Sequence, residues 1–263
     1  MTSPGLEAIA DATEAEEHAL DDVVANLDAQ RWALPTPAEG WDIRDQIGHL
    51  AVSEEWAALA AGAPDEFAGF LERLLGDLAG FANETQRRIR EHDGRSTLGW
   101  WRARRAETLD AVRAQPDGSR IPWFGPPMGA RSFLTARLME TWAHGQDVRD
   151  ALGLEPSVSA RLRDIAHLGV ATRAFAYANR GRDAPDAAVS VTLVGPDGDR
   201  WQWGPADAPD RISGPALDWC LVVTQRRSVA DTDLEVIGEA AGDWMGIVQA
   251  FAGPPTDPPS ARG

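Results

Sequence analysis

The stretch RLMETWAHGQDVRDALG, residues 137–153, carries a glutamate and a histidine four residues apart, Glu140 and His144. On an α-helix this spacing puts both side chains on one side, a turn apart, and Asp147 joins the same stripe three residues on. The apolar face of that helix, formed by Leu138, Trp142, Val148 and Leu152, is centred about a third of the way round. An imidazole and a carboxylate so placed supply two of the three protein ligands of a catalytic Zn²⁺ site. They are equally an ordinary exposed pair worth roughly 0.2–0.5 kcal/mol.

A third ligand has its candidate in DIRDQIGHLAVSEEWAALAAG, residues 42–62. Ile43, Ile47 and Leu50 form an apolar face, while Asp45, His49, Ser53 and Trp56 form a second, mixed stripe. Two helices with such secondary polar stripes, facing each other inside a bundle, would bring His49 to Glu140 and His144. Two imidazoles and one carboxylate leave a fourth position for water, substrate or thiol, and lower the pKa of what binds there. Asp45 and Asp147 each lie within one turn of a histidine and are the candidates to hold its second ring nitrogen. Spacing alone leaves the surface reading open, because E-x-x-x-H lacks the second histidine of a zincin helix. The other three histidines carry less chemistry. His18 lies in an acidic amphipathic helix, His92 at a helix C-terminus where a cation suits the dipole, and His167 in an apolar helix that predicts a satisfied core residue.

The elements that must position these residues are mostly helical. Residues 5–32 read as one helix; TPAEGW breaks it; Asp42 caps a second. A third is predicted over residues 65–92 and a fourth from Thr97, followed by a Pro/Gly-rich loop, PDGSRIPWFGPPMGA, whose later part is the candidate pocket rim. Beyond Gly153 come a linker and one helix, then AAVSVTLV and DRWQWG as two strands around a turn. ISGPALDWCLVVTQR reads as a turn into a helix, TDLEVIG as a short strand and EAAGDWMGIVQAFAG as a closing helix. The fold class is therefore mainly α: a helical bundle over residues 1–153, a smaller α+β domain over 154–252, and a disordered Pro-rich tail over 253–263.

Composition narrows the function classes. A net charge of −16, with all 25 basic residues arginine, argues against nucleic-acid binding. No apolar run reaches membrane-spanning length, and the acidic N-terminus lacks the pattern of a signal peptide, so a cytoplasmic protein with no membrane partner is expected. Cys220 is the only cysteine, so a metal site must use histidine and carboxylate. Arg87, Arg88, Arg90, Arg102, Arg104 and Arg105 lie in two runs that suit carboxylate binding but more commonly make a solvated face; none is assigned a catalytic role. Trp100, Trp101, Trp123 and Phe124 can wall a pocket, although packing is the favoured reading, and Trp201 and Trp203 are expected to pack beneath the C-terminal helix.

GWDIRDQIGHLAVSEEW and METWAHGQDVRDALG together resemble two motifs of the mycothiol-dependent maleylpyruvate isomerase N-terminal family, within the DinB-like metal-binding superfamily. The resemblance covers about the first 150 residues. It implies a DinB-like four-helix bundle whose divalent metal is held by His49, Glu140 and His144. Residues 191–227 are similar to a segment labelled a wyosine base formation domain, and more loosely to sterol-carrier-like C-terminal domains; no tRNA chemistry follows, because the cysteine cluster of a radical iron–sulfur centre is absent. The family implies a zinc-dependent enzyme that uses a low-molecular-weight thiol, such as mycothiol, for isomerisation or transfer on a small organic substrate. The alternatives are a non-catalytic metal-binding or ligand-sensing protein and a plain scaffold. The sequence leaves open the oligomeric state and the residues that bind thiol and substrate.

Overall fold

The computed structural model describes residues 4–116 and 118–261. It divides into two compact units, Met1–Ser157 and Val158–Gly263. Among the described residues no helix is long and apolar enough to cross a membrane.

The first unit holds α1 (Pro4–Val24), α2 (Ala29–Trp32), α3 (Ile43–Gly62), α4 (Pro64–Gly76), α5 (Leu78–Arg90) and α6 (Gly94–Arg113). A hairpin of β1 (Arg120–Trp123) and β2 (Gly125–Gly129) then leads into α7 (Ala130–Leu152). The helices α1, α3, α6 and α7 form the bundle, with α3 packed on α6 and α7, and α1 packed on α7 and α6. Leu20, Val24, Ile43, Ile47, Leu50, Leu98, Trp101 and Val148 meet in its core. Aspartates set several helix starts. Asp28, Asp42, Asp77 and Asp93 each accept a hydrogen bond from the backbone N–H three residues on. These caps explain two departures from the expected elements. The first predicted helix breaks where Asp28 starts α2, and the third breaks where Asp77 starts α5. The stretch expected as a loop is partly the hairpin β1–β2, an isolated two-stranded ribbon whose prolines fall where no neighbouring strand needs their N–H. At the other end, α7 stops at Gly153, which adopts the left-handed conformation with φ 66°.

One close approach bears directly on the site. A Cβ on Gly48 would lie 2.4 Å from Ile89 Cγ2, so α5 sits hard against α3 beside His49. Ile89 is 1% exposed and has no room to yield. Gly48→Ala is therefore expected to destabilise the protein by about 1–3 kcal/mol, the usual overpacking cost, despite the better helix propensity of alanine. Urea unfolding checks it, and adding Ile89→Val should recover part of the loss.

The second unit contains α8 (Leu162–Ala171), α9 (Arg173–Ala178), β3 (Val189–Val194), β4 (Arg200–Trp203), β5 (Asp210–Pro215), α10 (Ala216–Val223), β6 (Glu235–Ile237) and α11 (Glu239–Met245). Its four strands run in the order β4-β3-β5-β6, with β3 and β5 parallel and the other pairs antiparallel. Strand β5, DRISGP, includes the ISGP that the sequence reads as a turn; its Gly and Pro sit at the end that runs into α10. His167 is exposed rather than core, and its Nδ1 accepts from Trp203 Nε1 at 3.1 Å, so Trp203 meets α8. Cys220 is fully buried, which pushes its thiol well above the usual range. In the segment read as a disordered tail, Thr256 bonds the side chains of Gln225 and Gln249.

Candidate metal centre

Helix α3 contributes His49 and helix α7 contributes Glu140 and His144. One ligand atom from each lies within 4.8 Å of the other two. Glu140 Oε2 is 3.4 Å from His144 Nε2 and 3.9 Å from His49 Nε2, and the imidazole centroids are 4.5 Å apart. Bonds of about 2.0–2.2 Å to a tetrahedral ion give ligand–ligand edges of about 3.3 Å, so the observed spacings need only small adjustment. The His49 side chain is 33% exposed and those of Glu140 and His144 about 15%, which makes His49 the open side of the cluster.

Burial alone would push the Glu140 carboxyl up. The facing imidazoles of His144 and His49, which favour the anion wherever they carry a proton, and the charge of Arg137 instead hold it well below the usual carboxylate range. Glu140 is thus an anion at neutral pH. Its Oε2 faces two imidazole nitrogens, and where those nitrogens carry lone pairs the three acceptors need a cation among them. That donor set, two imidazoles and one carboxylate, fits a divalent ion of the zinc type.

The surroundings differ from the expected ones. Asp147 Oδ2 stands 3.9 Å from His144 Nδ1, beyond hydrogen-bond distance. Asp45 is buried but turned to other work: it closes the capping box of α3 by accepting from Asp42 N–H, and it takes Gln86 at 2.7 Å and Arg90 at 3.3 Å. None of its hydrogen bonds goes to an imidazole. The group that reaches His144 Nδ1 is Gln46 Oε1, at 2.6 Å. Trp41 covers both rings, 5.3 Å from His49 and 6.2 Å from His144, with its plane 17° from that of His144. Neither Gln46 nor Trp41 has a periodic signal that sequence spacing could read.

The arginine runs are committed to carboxylates. Arg87 pairs with Glu84 and Glu91, Arg88 with Glu55, Arg90 with Asp45, Arg104 with Glu107, and Arg102 and Arg105 with Asp21. The guanidinium near the centre is Arg137, one turn before Glu140. Its Nη1 donates to Ser53 Oγ at 2.6 Å and its Cζ lies 5.0 Å from the Trp123 ring. Trp101 is buried beneath Arg105, Trp100 stacks on His92, and Trp123 and Phe124 join a cluster with Trp56 and Phe67, so packing accounts for these aromatics. His18 is exposed, with Glu14 at 3.9 Å.

Comparison with known proteins bears on the family and the fold. The family described as mycothiol maleylpyruvate isomerase N-terminal domain matches residues 13–149. Two uncharacterized proteins of Mycobacterium tuberculosis, one from each of two strains, are each 46% identical over 255 residues, covering 97% of this chain and 98% of theirs. Two crystal structures of a mycothiol-dependent maleylpyruvate isomerase share the fold. One, of a histidine-to-alanine variant, has a TM-score of 0.57 at 15% identity, covering 85% of this chain and 90% of that one. The other has a TM-score of 0.56 at 17% identity, covering 84% and 89%.

Proposed function

The chain belongs to the mycothiol maleylpyruvate isomerase N-terminal domain family, and from that premise we propose that it is a metal-dependent enzyme, zinc being the favoured ion, which uses a low-molecular-weight thiol of the mycothiol kind to isomerise, or transfer a group on, a small organic substrate. The observation that carries the proposal is the convergence of His49, Glu140 and His144 from two helices far apart in sequence. His49, Glu140 and His144 would hold a divalent ion, which when bound would supply a Lewis acid able to lower the pKa of a thiol. The chain's own residues do the rest. Two neutral imidazoles and one carboxylate contribute a single negative charge, so a divalent ion held by them would keep a net positive charge toward a thiolate. Exposure on the His49 side gives the thiol its approach, and the Trp41 indole stands beside both rings. Fully buried Cys220, its thiol pushed up by burial, is no nucleophile, so the reactive sulfur comes from solution.

Protein purified without a histidine tag is expected to contain about one Zn²⁺ per chain. Turnover on small unsaturated acids, maleylpyruvate among them, should require both mycothiol and metal and cease on chelation. Turnover that survives complete chelation would overturn the proposal. Bound metal without turnover for any thiol and electrophile would favour the reading of a non-catalytic metal-binding or ligand-sensing protein.

A further inference from the structure

The contacts around Gln46 fix more than a distance. Thr36 Oγ1 lies 3.0 Å from the Trp41 carbonyl, and a carbonyl only accepts, so the hydroxyl donates its one proton there. It must then accept from its other neighbour, Gln46 Nε2, at 2.9 Å. That places the amide nitrogen of Gln46 toward Thr36 and its oxygen toward His144. Because Oε1 accepts, His144 Nδ1 brings the proton, and in the neutral ring Nε2 carries the lone pair. Nε2 is the nitrogen that faces Glu140 at 3.4 Å.

We propose that Gln46 and the turn Thr36–Trp41 form a positioning clasp that holds His144 in the Nδ1–H tautomer, presenting Nε2 for coordination. The clasp rests on the reading of His49, Glu140 and His144 as metal ligands, and adds to it the residues that set up one of them. Three observations make it a device rather than a chance contact. Gln46 is 0% exposed, so no water competes for its amide. The turn is itself pinned: Thr36 N–H donates to the same Trp41 carbonyl at 2.8 Å, Trp41 N–H to Ala38 O at 3.0 Å, Pro35 bridges to Asp42, and Gly40 takes the left-handed φ of 76° that the reversal needs. The indole of Trp41, whose carbonyl ends the relay, also covers the face of the imidazole that the relay orients. The backbone and ring of one residue thus restrain His144 from two directions.

The tautomer can be read without metal. In ¹⁵N-labelled, metal-free protein above the histidine titration range, a long-range ¹H–¹⁵N spectrum, with the His144 signals assigned by their loss in His144→Asn, is expected to show the Nδ1–H pattern. Gln46→Leu should abolish that pattern and weaken Zn²⁺ binding 10–100-fold in a chelator competition, the usual effect of losing a ligand's outer partner. Gln46→Glu, whose carboxylate still accepts from Nδ1–H but gives Thr36 no donor, should restore the tautomer. Thr36→Val keeps Gln46 but frees its amide to turn over, so the fixed tautomer should be lost there too. This variant decides the matter if Gln46→Leu does not fold. An Nε2–H pattern in the wild type, or an unchanged tautomer and affinity in both Gln46→Leu and Thr36→Val, would overturn the clasp. An Nδ1–H pattern that Gln46→Leu removes supports it even if the wild type binds no Zn²⁺, a result that would count against the metal reading alone.

Discussion

Replacing His49 by alanine is expected to leave a folded protein that no longer retains metal. His49 is the single contribution of α3 to the cluster, and without it the remaining pair, Glu140 and His144, comes from one face of α7. Losing a partner that merely orients a ligand weakens metal sites about 10–100-fold; losing one of three ligands should exceed the upper end of that range. The fold should tolerate the change. The side chain is one-third exposed, so its removal opens no sealed cavity. The core of α3 is carried by Ile43, Ile47 and Leu50 on another face, and the stability of the metal-free variant should stay within about 1 kcal/mol of the parent. Elemental analysis, chelator competition and urea unfolding on the same preparation separate the two effects. A variant that keeps about one ion per chain would show that the metal binds elsewhere. A variant that loses its metal only because it unfolds would leave the metal-free stabilities unequal.

How far the residues announced this site depends on the range of each interaction. Glu140 and His144 are legible because a helix repeats every 3.6 residues, so i and i+4 must share a side. His49 stands out only as a polar group on the second stripe of an amphipathic helix, and its pairing with α7 came from motif resemblance. Gln46 was not legible: it lies three residues before His49, yet its partner is 98 residues away, and no local rule selects that amide. Asp45 illustrates the converse error. One turn from His49 it looked like a holder for the imidazole, but three positions after Asp42 it is also the capping-box residue, and the cap claims its side chain. The helix breaks at Asp28 and Asp77 follow the same logic, because an aspartate inside an apolar periodicity reads as a solvent-facing position until its cap bond is seen. Strands β1, β2 and β5 were hidden by their Pro and Gly content, which only an edge or a strand end tolerates.

Arg137 leads to the other large effect, one of stability rather than metal retention. Its guanidinium, 3% exposed, lies 3.8 Å from Glu54 Oε1. Glu54 is 0% exposed, and neither of its carboxylate oxygens has a hydrogen-bond partner; the Thr108 hydroxyl donates instead to the Glu54 backbone carbonyl at 2.9 Å. Burial drives the Glu54 carboxyl up, and Arg137 is the strongest influence pulling it back. Glu17 is likewise raised well above the usual range, by burial and by the charge of Glu54. Arg137→Met keeps the apolar volume but removes the cation from this interior, and should cost about 3–5 kcal/mol at neutral pH, the typical loss on stranding a buried charge. The pH dependence follows from proton counting. A carboxyl with a raised folded pKa binds more protons in the fold than in the unfolded chain, whose glutamates titrate near 4.3. It therefore favours the fold at low pH, and that contribution is lost as pH rises through the folded value. Removing Arg137 lifts the folded value further, and the unfolded titration is common to both proteins, so the deficit of the variant should grow as pH rises through the parent's raised folded value and shrink below it. Adding Glu54→Gln should recover most of the loss at neutral pH, a coupling of about 2–3 kcal/mol. Urea unfolding of the metal-free proteins at acidic and neutral pH tests both statements. A deficit that is small and independent of pH would mean that Glu54 carries no charge in the fold, with Arg137 serving Ser53 and Glu140 instead.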